Sequence, residues 1–451
     1  MDTDKNLHHI IVVGGGAGGL ELATKLGNQL GKKRKAAITL IDCTLTHLWK
    51  PLLHEVAAGS LNSCEDELDY LGQSHWHHFQ FRLGRMDRLD RKKQEVSLAP
   101  TLDDEGNEYI PRRTFHYDTL VIAVGSTTND FGIPGVREHC MFLDTRKQAD
   151  YFHQYLFRSF YTAHAQKEPL REGQLHIAIA GAGATGVELS AELHESAYQL
   201  AEFGLDQVKP DTDVKITIVE ASDRILPDLP PRLSEKVSKA LEKLNIETCT
   251  NQRITEVTAD GFKTESGKFI PAKIKAWAAG IKAPDLLKEL DSLETNRINQ
   301  LVVKPTLQTT LDENIFAFGD CAACPLNTHS NPDADERGAT VPPRAQAANQ
   351  QASMLVKTMR QRLKGDSSLP EYKYVDYGSL VNMSNHTTVG YLMGKLSKLS
   401  GSVMIEGIVA RFVYISLYKM HLMALHGPIR MGLSTLANLL TRKAKPRMKL
   451  H

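Results

Sequence analysis

Twice along the chain a short apolar run flows into a glycine turn and then into a helical repeat. Ile10-Ile11-Val12-Val13 leads into Gly14-Gly15-Gly16-Ala17-Gly18-Gly19, and Leu22, Leu26 and Leu30 follow at helical spacing. Lys32-Lys33-Arg34-Lys35 ends that helix, and Ile38 to Ile41 reads as a second strand closed by Asp42. The pattern returns at Ile177 to Ala180, then Gly181-Ala182-Gly183-Ala184-Thr185-Gly186, then Leu189, Leu193, Ala197 and Leu200, then Lys215 to Val219 closed by Glu220. Each is a β-α-β unit with a parallel sheet. The first glycine permits the tight turn, the second lets backbone approach a pyrophosphate, and the third allows close helix–strand packing. The helix N-terminus adds partial positive charge. An acid about 20 residues on accepts from a ribose, the role expected of Asp42 and Glu220. Glycine turns also occur for packing alone, but here strand, helix and terminal acid all accompany them. Glu220 would repel a 2′-phosphate. Arg224, four residues on, could welcome one; NAD is favoured over NADP.

Two such turns far apart predict two nucleotide-binding domains. Two dinucleotides in one chain are most economically a flavin and a nicotinamide, since a flavin takes a hydride and passes on electrons singly or in pairs. Two further strand-to-glycine turns, Thr119 to Gly125 and Ile315 to Asp320, complete the plan. The expected domains are 1–150 with 300–373 for FAD, 151–299 for NADH, and a tail unit over 374–451. The expected fold class is α/β, a two-domain scaffold like that of the flavoprotein disulfide reductases, with a C-terminal amphipathic helical region for membrane attachment. Pro325 to Pro343 reads as a loop.

Charge narrows the partners. The 451 residues carry a net +1, which argues against nucleic acid. From Lys395 onward ten basic residues face the single Glu406, a net +9, which leaves −8 for the first 394 residues. A basic, apolar tail on an acidic body points to a membrane surface. Val403 to Leu425 is interrupted by Glu406, Arg411, Lys419 and His421, so no uninterrupted span of about 18 apolar residues exists for a transmembrane helix. Ile429, Leu433, Leu436 and Leu440 line one helix face ahead of Arg442, Lys443, Lys445, Arg447 and Lys449. That pattern is an interfacial helix attracted to anionic lipid; a core or dimer helix has the same spacing. Six cysteines make no disulfide framework, and Met1 to His9 lacks the apolar stretch of a secretory signal.

The residues resemble the type II NADH:quinone oxidoreductases, the single-subunit respiratory NADH dehydrogenases of bacterial membranes, and above all their proteobacterial branch. The likeness runs from about residue 8 to the C-terminus. It is carried by Val12 to Glu21, His47 to Val56, Gly181 to Glu188, Trp277 to Ile281, Ala317 to Asp320, Pro343 to Gln350 and Ala410 to Tyr418. The Ala-Gln-x-Ala-x-Gln segment is the most specific. The resemblance implies FAD contacts at Gly14, Gly15, Gly16, Ala17, Gly18, Gly19, Asp42, Lys50, Met86 (through backbone) and Asp320, joined by Ala345 and Gln346. It implies NADH contacts at Gly181, Gly183, Ala184, Thr185, Gly186, Glu220 and Gly280. Gln346 and Gln350 would meet the quinone beside the flavin, and Glu188 would serve proton delivery. Where some members carry a lysine near the quinone, this chain has Tyr377, so no lysine role is carried over. FAD would be bound non-covalently, NADH would be substrate, and the partners would be membrane quinone and, through 403–451, anionic lipid. A homodimer at the cytoplasmic face of the bacterial inner membrane is expected, without proton pumping.

Plainer readings stand beside these. Glu188 would serve equally as a first-turn acid stabilised by the helix dipole. Gln346 and Gln350 would form a solvated polar face, though the intervening Ala347 and Ala348 argue for close approach to something flat. Cys321-Ala322-Ala323-Cys324 is half a metal site and reads as structural. His75-Trp76-His77-His78 reads as a surface loop with no metal. Other functions open to the scaffold are a sulfide:quinone or ferredoxin-type reductase, for which Cys321 and Cys324 are the only plausible pair, and a non-catalytic, nucleotide-gated interaction protein.

Overall fold

Ile10 to Val13 are apolar on both faces, and such a run belongs inside a parallel sheet covered on both sides. In the computed structural model, which describes residues 7–62, 67–326, 339–384, 387–392, 403–427, 431–433 and 435–437, they lie in strand β1 (His8–Val13). The chain continues through α1 (Ala17–Leu26), β2 (Ala36–Asp42), α2 (Leu53–Ala58), α3 (Tyr70–His77), β3 (Gln80–Leu83) and β4 (Thr119–Ile122). After α4 (Arg146–Ala165), whose start is fixed by a Thr145–Gln148 capping box, comes a second unit. It comprises β5 (His176–Ala180), α5 (Ala184–Glu202), β6 (Lys215–Val219), β7 (Ile246–Cys249) and β8 (Ile274–Trp277). The chain then returns through β9 (Ile315–Ala317) and α6 (Ala345–Arg362), and ends in β10 (Gly378–Met383), β11 (Thr387–Leu392), β12 (Val403–Glu406) and α7 (Gly407–His426).

The first sheet has the order β9-β4-β1-β2-β3, all parallel. The second has the order β7-β6-β5-β8, again parallel. Each glycine turn therefore leaves the carboxyl end of a central strand, where ligands bind in open α/β sheets. Residues of α2 precede the second sheet by over a hundred positions, yet Leu53, Val56 and Ala57 are buried in the same cluster as Phe152, Val187 and Leu189.

Two differences from the sequence reading follow from packing. The tail does not begin as helix. β10, β11 and β12 form a three-stranded antiparallel sheet, whose Val381, Met383 and Val389 join the core cluster of α5. His75 to His77 form the last turn of α3 rather than a loop, and His78 is its left-handed cap with φ +56°. On α7 Ala410 and Leu425 are buried while Ile408 is 85% and Phe412 73% exposed. Among the described residues no helix is long and apolar enough to cross a membrane. Leu433 and Leu436 are exposed; Ile429, Leu440 and Arg442 to Lys449 lie outside the described residues, as does most of the loop expected over Pro325 to Pro343.

Candidate dinucleotide and quinone sites

The first turn is built by close backbone approach. Gly14 has φ +104°, and a Cβ there would sit 2.3 Å from the Ala123 carbonyl oxygen. A Cβ on Gly19 would lie 1.8 Å from the Gly14 oxygen, and one on Gly15 would lie 2.3 Å from Tyr70 Oη. A Cβ on Gly18 would strike the Phe318 ring. Gly16 differs: a Cβ there would meet nothing within 4 Å, and the residue is exposed. Gly16 caps α1 with no side-chain hydrogen bond, so the helix N-terminus beginning at Ala17 opens on space, as a pyrophosphate cradle requires. Asp42 Oδ2 accepts from the Gly15 amide at 2.6 Å and Oδ1 from the Thr44 amide at 2.8 Å.

The second turn repeats this construction. Gly181 has φ +96° and abuts the Ala279 backbone, and a Cβ on Gly186 would lie 2.0 Å from the Gly181 oxygen. Gly183, Ala184 and Thr185 are exposed at the start of α5. Glu220 Oε2 accepts from the Ala182 amide at 2.7 Å and Oε1 from the Ser222 amide at 2.8 Å. Each oxygen retains a lone pair for a ribose hydroxyl. Arg224 donates to the Pro227 and Leu229 carbonyls, which spends its guanidinium on backbone rather than on a 2′-phosphate. Gly280, with φ +65°, lies against the Phe131 ring.

Lys50 and Asp320, distant in sequence, meet through a residue that sequence reasoning missed. Lys50 Nζ donates to the Ser126 carbonyl at 2.8 Å, and Ser126 Oγ donates to Asp320 Oδ2 at 2.9 Å. The only available signal was that Ser126 follows the glycine after β4. Tyr70 and His47 were also missed; both hydrogen-bond the Gly15 carbonyl from beneath the turn, at 2.8 and 3.0 Å. Met86 is buried, on a strand spanning Met86–Asp90.

Ala345, Gln346 and Gln350 stand in the first turns of α6, and both glutamines are half-buried and hydrogen-bonded to the chain. Gln346 Oε1 accepts from the Tyr377 amide at 3.1 Å, and its Nε2 donates to Asp376 and to the Gly378 carbonyl, each at 3.3 Å. Gln350 Nε2 donates to the Val375 carbonyl at 2.8 Å while its Oε1 accepts from the Val375 amide and Tyr372 Oη. The pair clamps the segment 372–378 onto α6. The alanines have a protein partner too: Ala347 is buried, and Ala348 Cβ packs beside Gly18 and Gly319.

Glu188 is not a first-turn acid. It lies in the second turn of α5, buried, with Oε1 accepting from the Asn382 amide at 3.0 Å. Burial, and secondarily the nearby Glu55 and Glu192 carboxylates, push its carboxyl up to about 8, against the opposing pull of the Asn382 hydrogen bond. The folded chain therefore keeps a proton that the unfolded chain releases above about 4.5. Its contribution to stability is full below that value and is lost as pH rises through about 8. Glu188→Gln, neutral throughout, is expected to flatten the fall in unfolding free energy across this window, read from urea melts at stepped pH. An unaltered pH slope would mean that the carboxyl is ionised in the fold.

Cys321 and Cys324 are buried, and burial pushes both thiols up to about 12. Cys321 Sγ is spent on the Phe318 and Ile122 carbonyls. Thiols held protonated are poor nucleophiles, which weighs against sulfide chemistry at this pair.

Comparison with known proteins bears on this geometry. The family model for pyridine nucleotide-disulphide oxidoreductases matches residues 8–352. The chain is 43% identical to a type II NADH:quinone oxidoreductase of Haemophilus influenzae, over 99% of this chain and 100% of that one. It is 31% identical to one from Staphylococcus aureus, over 86% and 90%. The fold superposes on NDH2 from Plasmodium falciparum in complex with NADH with a TM-score of 0.81 at 19% identity, covering 98% of this chain and 100% of that one.

Proposed function

We propose the reaction of this chain from one fact: it belongs to the type II NADH:quinone oxidoreductases, and with them to the pyridine nucleotide-disulphide oxidoreductase family. It is an FAD-dependent enzyme that passes electrons from NADH to a quinone. The observation that carries the reading is the doubled turn, with Asp42 and Glu220 each receiving the amide after the first glycine and the amide two residues beyond the acid. One turn suits FAD and the other NADH.

The residues present fit FAD. Gly16 leaves the approach to the α1 N-terminus open, Asp42 offers acceptors for a ribose, and Lys50, Ser126 and Asp320 form a polar group at the ends of β4 and β9. Bound FAD supplies a ring that accepts a hydride and passes two electrons on. Glu220 orients the NADH ribose, and the open N-terminus of α5 at Ala184 and Thr185 holds its pyrophosphate. Gln346 and Gln350 keep segment 372–378 against α6, shaping the place where the quinone headgroup enters. Glu188, carrying its proton at neutral pH, delivers it to the reduced quinone. Hydride transfer itself needs orientation and exclusion of water rather than a protein acid.

The deciding experiment is an anaerobic titration. One equivalent of NADH should bleach the flavin absorbance, and a short-tailed quinone should restore it. A flavin that stays oxidised under NADH would point to the non-catalytic reading instead. Within that assay Gln350→Ala is expected to slow quinone reoxidation while leaving bleaching nearly intact. Equal loss in both halves would place Gln350 in flavin binding or folding.

The membrane side is proposed from charge and exposure. The net +9 from Lys395 onward and the exposed Ile408, Val409, Phe412 and Ile415 on α7 suit peripheral attachment to anionic lipid at the cytoplasmic face. The same exposed face suits a homodimer. Each basic residue near such a surface contributes about 1 kcal/mol, and apolar burial adds about 25 cal/mol per Å². Removing Gly427 to His451 is expected to release the enzyme from the membrane fraction with FAD and soluble-quinone turnover intact. Retention on the membrane would mean that the exposed α7 face suffices without the basic end, and loss of FAD would place the tail in the core.

A further inference from the structure

Around Glu188 the fold gathers titratable groups from three separate stretches of sequence. His54 and Glu55 stand on α2, Glu188 and Glu192 on α5, and Arg411 and Tyr414 on α7. His54 is buried between two carboxylates: Nδ1 is 3.9 Å from Glu188 Oε2 and Nε2 is 4.0 Å from Glu55 Oε1. Tyr414 Oη donates to Glu55 Oε1 at 3.5 Å. The Glu55 side chain is 19% exposed whereas His54 is sealed at 2%. The row Tyr414, Glu55, His54, Glu188 thus links the partly open Glu55 carboxyl, through the sealed imidazole, to Glu188, whose side chain is 11% exposed.

A buried imidazole ordinarily satisfies both nitrogens. Here the ring donates to the Pro51 carbonyl, while Nε2 has no hydrogen-bond partner among the described residues. That leaves a lone pair buried and turned toward the Glu55 carboxylate. Leaving it so costs stability.

We propose that His54 carries protons from Glu55 to Glu188, with the Tyr414 hydroxyl aligning the Glu55 carboxylate. This rests on the reading that Glu188 gives a proton to the reduced quinone. A buried acid that has given up its proton must be reloaded before the next turnover. In the reloading step Nε2 takes a proton from the Glu55 carboxyl while the Nδ1 proton passes to the Glu188 carboxylate. One proton leaves Glu55, one arrives at Glu188, the ring ends neutral as its other tautomer, and no heavy-atom bond changes. Burial holds the imidazole near 4, so it passes a proton without trapping it. Burial also raises Tyr414 far above the ordinary phenol range, with Glu188 and Glu55 adding to it, which keeps its hydroxyl a donor. The gaps of 3.9 and 4.0 Å exceed hydrogen-bond length and close by a small side-chain rotation or one bridging water. The other charged groups facing the row are Glu192 on α5 and, on α7, Arg411, which acts on Glu192.

The test uses the full-length, FAD-loaded chain in anaerobic stopped flow, with NADH bleaching and reoxidation by a short-tailed benzoquinone read separately. A positioned proton carrier contributes about 100-fold or more, so His54→Gln is expected to slow reoxidation at least about 10-fold beyond any change in bleaching. Its solvent deuterium isotope effect should rise, and added imidazole should restore the rate of His54→Gly, which leaves the space of the ring open. A purely structural histidine would move neither of the last two readouts. Wild-type reoxidation in His54→Gln across the pH range overturns the relay. Glu188→Gln separates the two layers: if it reoxidises at the wild-type rate, the assignment of Glu188 itself falls. If it is slow while His54→Gln is not, only the relay falls. Should His54→Gln fail to retain FAD, Glu55→Gln decides, slowed reoxidation supporting the relay and an unchanged rate overturning it.

Discussion

A Gly19→Ala chain is expected to purify with almost no FAD. The added Cβ would stand 1.8 Å from the Gly14 carbonyl oxygen, and both partners are backbone. Gly14 cannot retreat, because its own α-carbon already faces the Ala123 carbonyl at a φ of +104°. The turn must open, which misplaces the Gly15 amide that Asp42 holds and the start of α1. Overpacking of this kind costs about 1–3 kcal/mol, but the cofactor loses its whole cradle. The flavin-to-protein absorbance ratio measures the result. Gly16→Ala is the control for mechanism: it meets nothing in the protein, so melting of the FAD-free chain should be unmoved while FAD binding weakens. Full FAD occupancy in Gly19→Ala would mean that the pyrophosphate lies elsewhere.

Glu220→Ala is expected to raise the KM for NADH by about 10- to 150-fold. Hydrogen bonds to a charged group contribute about 1.5–3 kcal/mol, and each 1.4 kcal/mol is a factor of ten. The effect should fall mainly on KM, since the ribose contact is made alike in ground and transition states. Glu220 also receives the Ala182 and Ser222 amides, so alanine loosens the turn as well. Glu220→Gln tells the two apart, because an amide has one acceptor oxygen for two backbone donors. An unmoved KM in both variants would remove NADH from the second turn.

Both variants concern residues legible without a structure. A glycine turn is local: strand, turn and helix lie within a few dozen residues, and the demand for absent side chains is written at fixed offsets. Asp42 and Glu220 were visible for the same reason, each closing the next apolar run. Other site features were carried by the resemblance alone. Lys50, Gln346 and Gln350 have no local pattern that marks them, and only the family likeness drew attention to them; Asp320 was marked only as the end of a strand-to-glycine turn.

What the sequence by itself determined is the pair of β-α-β units, their dinucleotide chemistry and the charge asymmetry of the tail, because each depends on neighbours in the chain or on a simple sum of charges. Tertiary structure decided the rest. It set β9 at the edge of a sheet begun three hundred residues earlier and placed α2 in the second core. It joined Lys50 to Asp320 through Ser126 and clamped 372–378 with two glutamines. It also changed the character of Glu188. On a bare helix that carboxylate would be ionised at neutral pH; between α2, α5 and the tail sheet, burial holds it protonated to about 8. Desolvation depends on what the rest of the chain brings to a residue, and no local pattern records that.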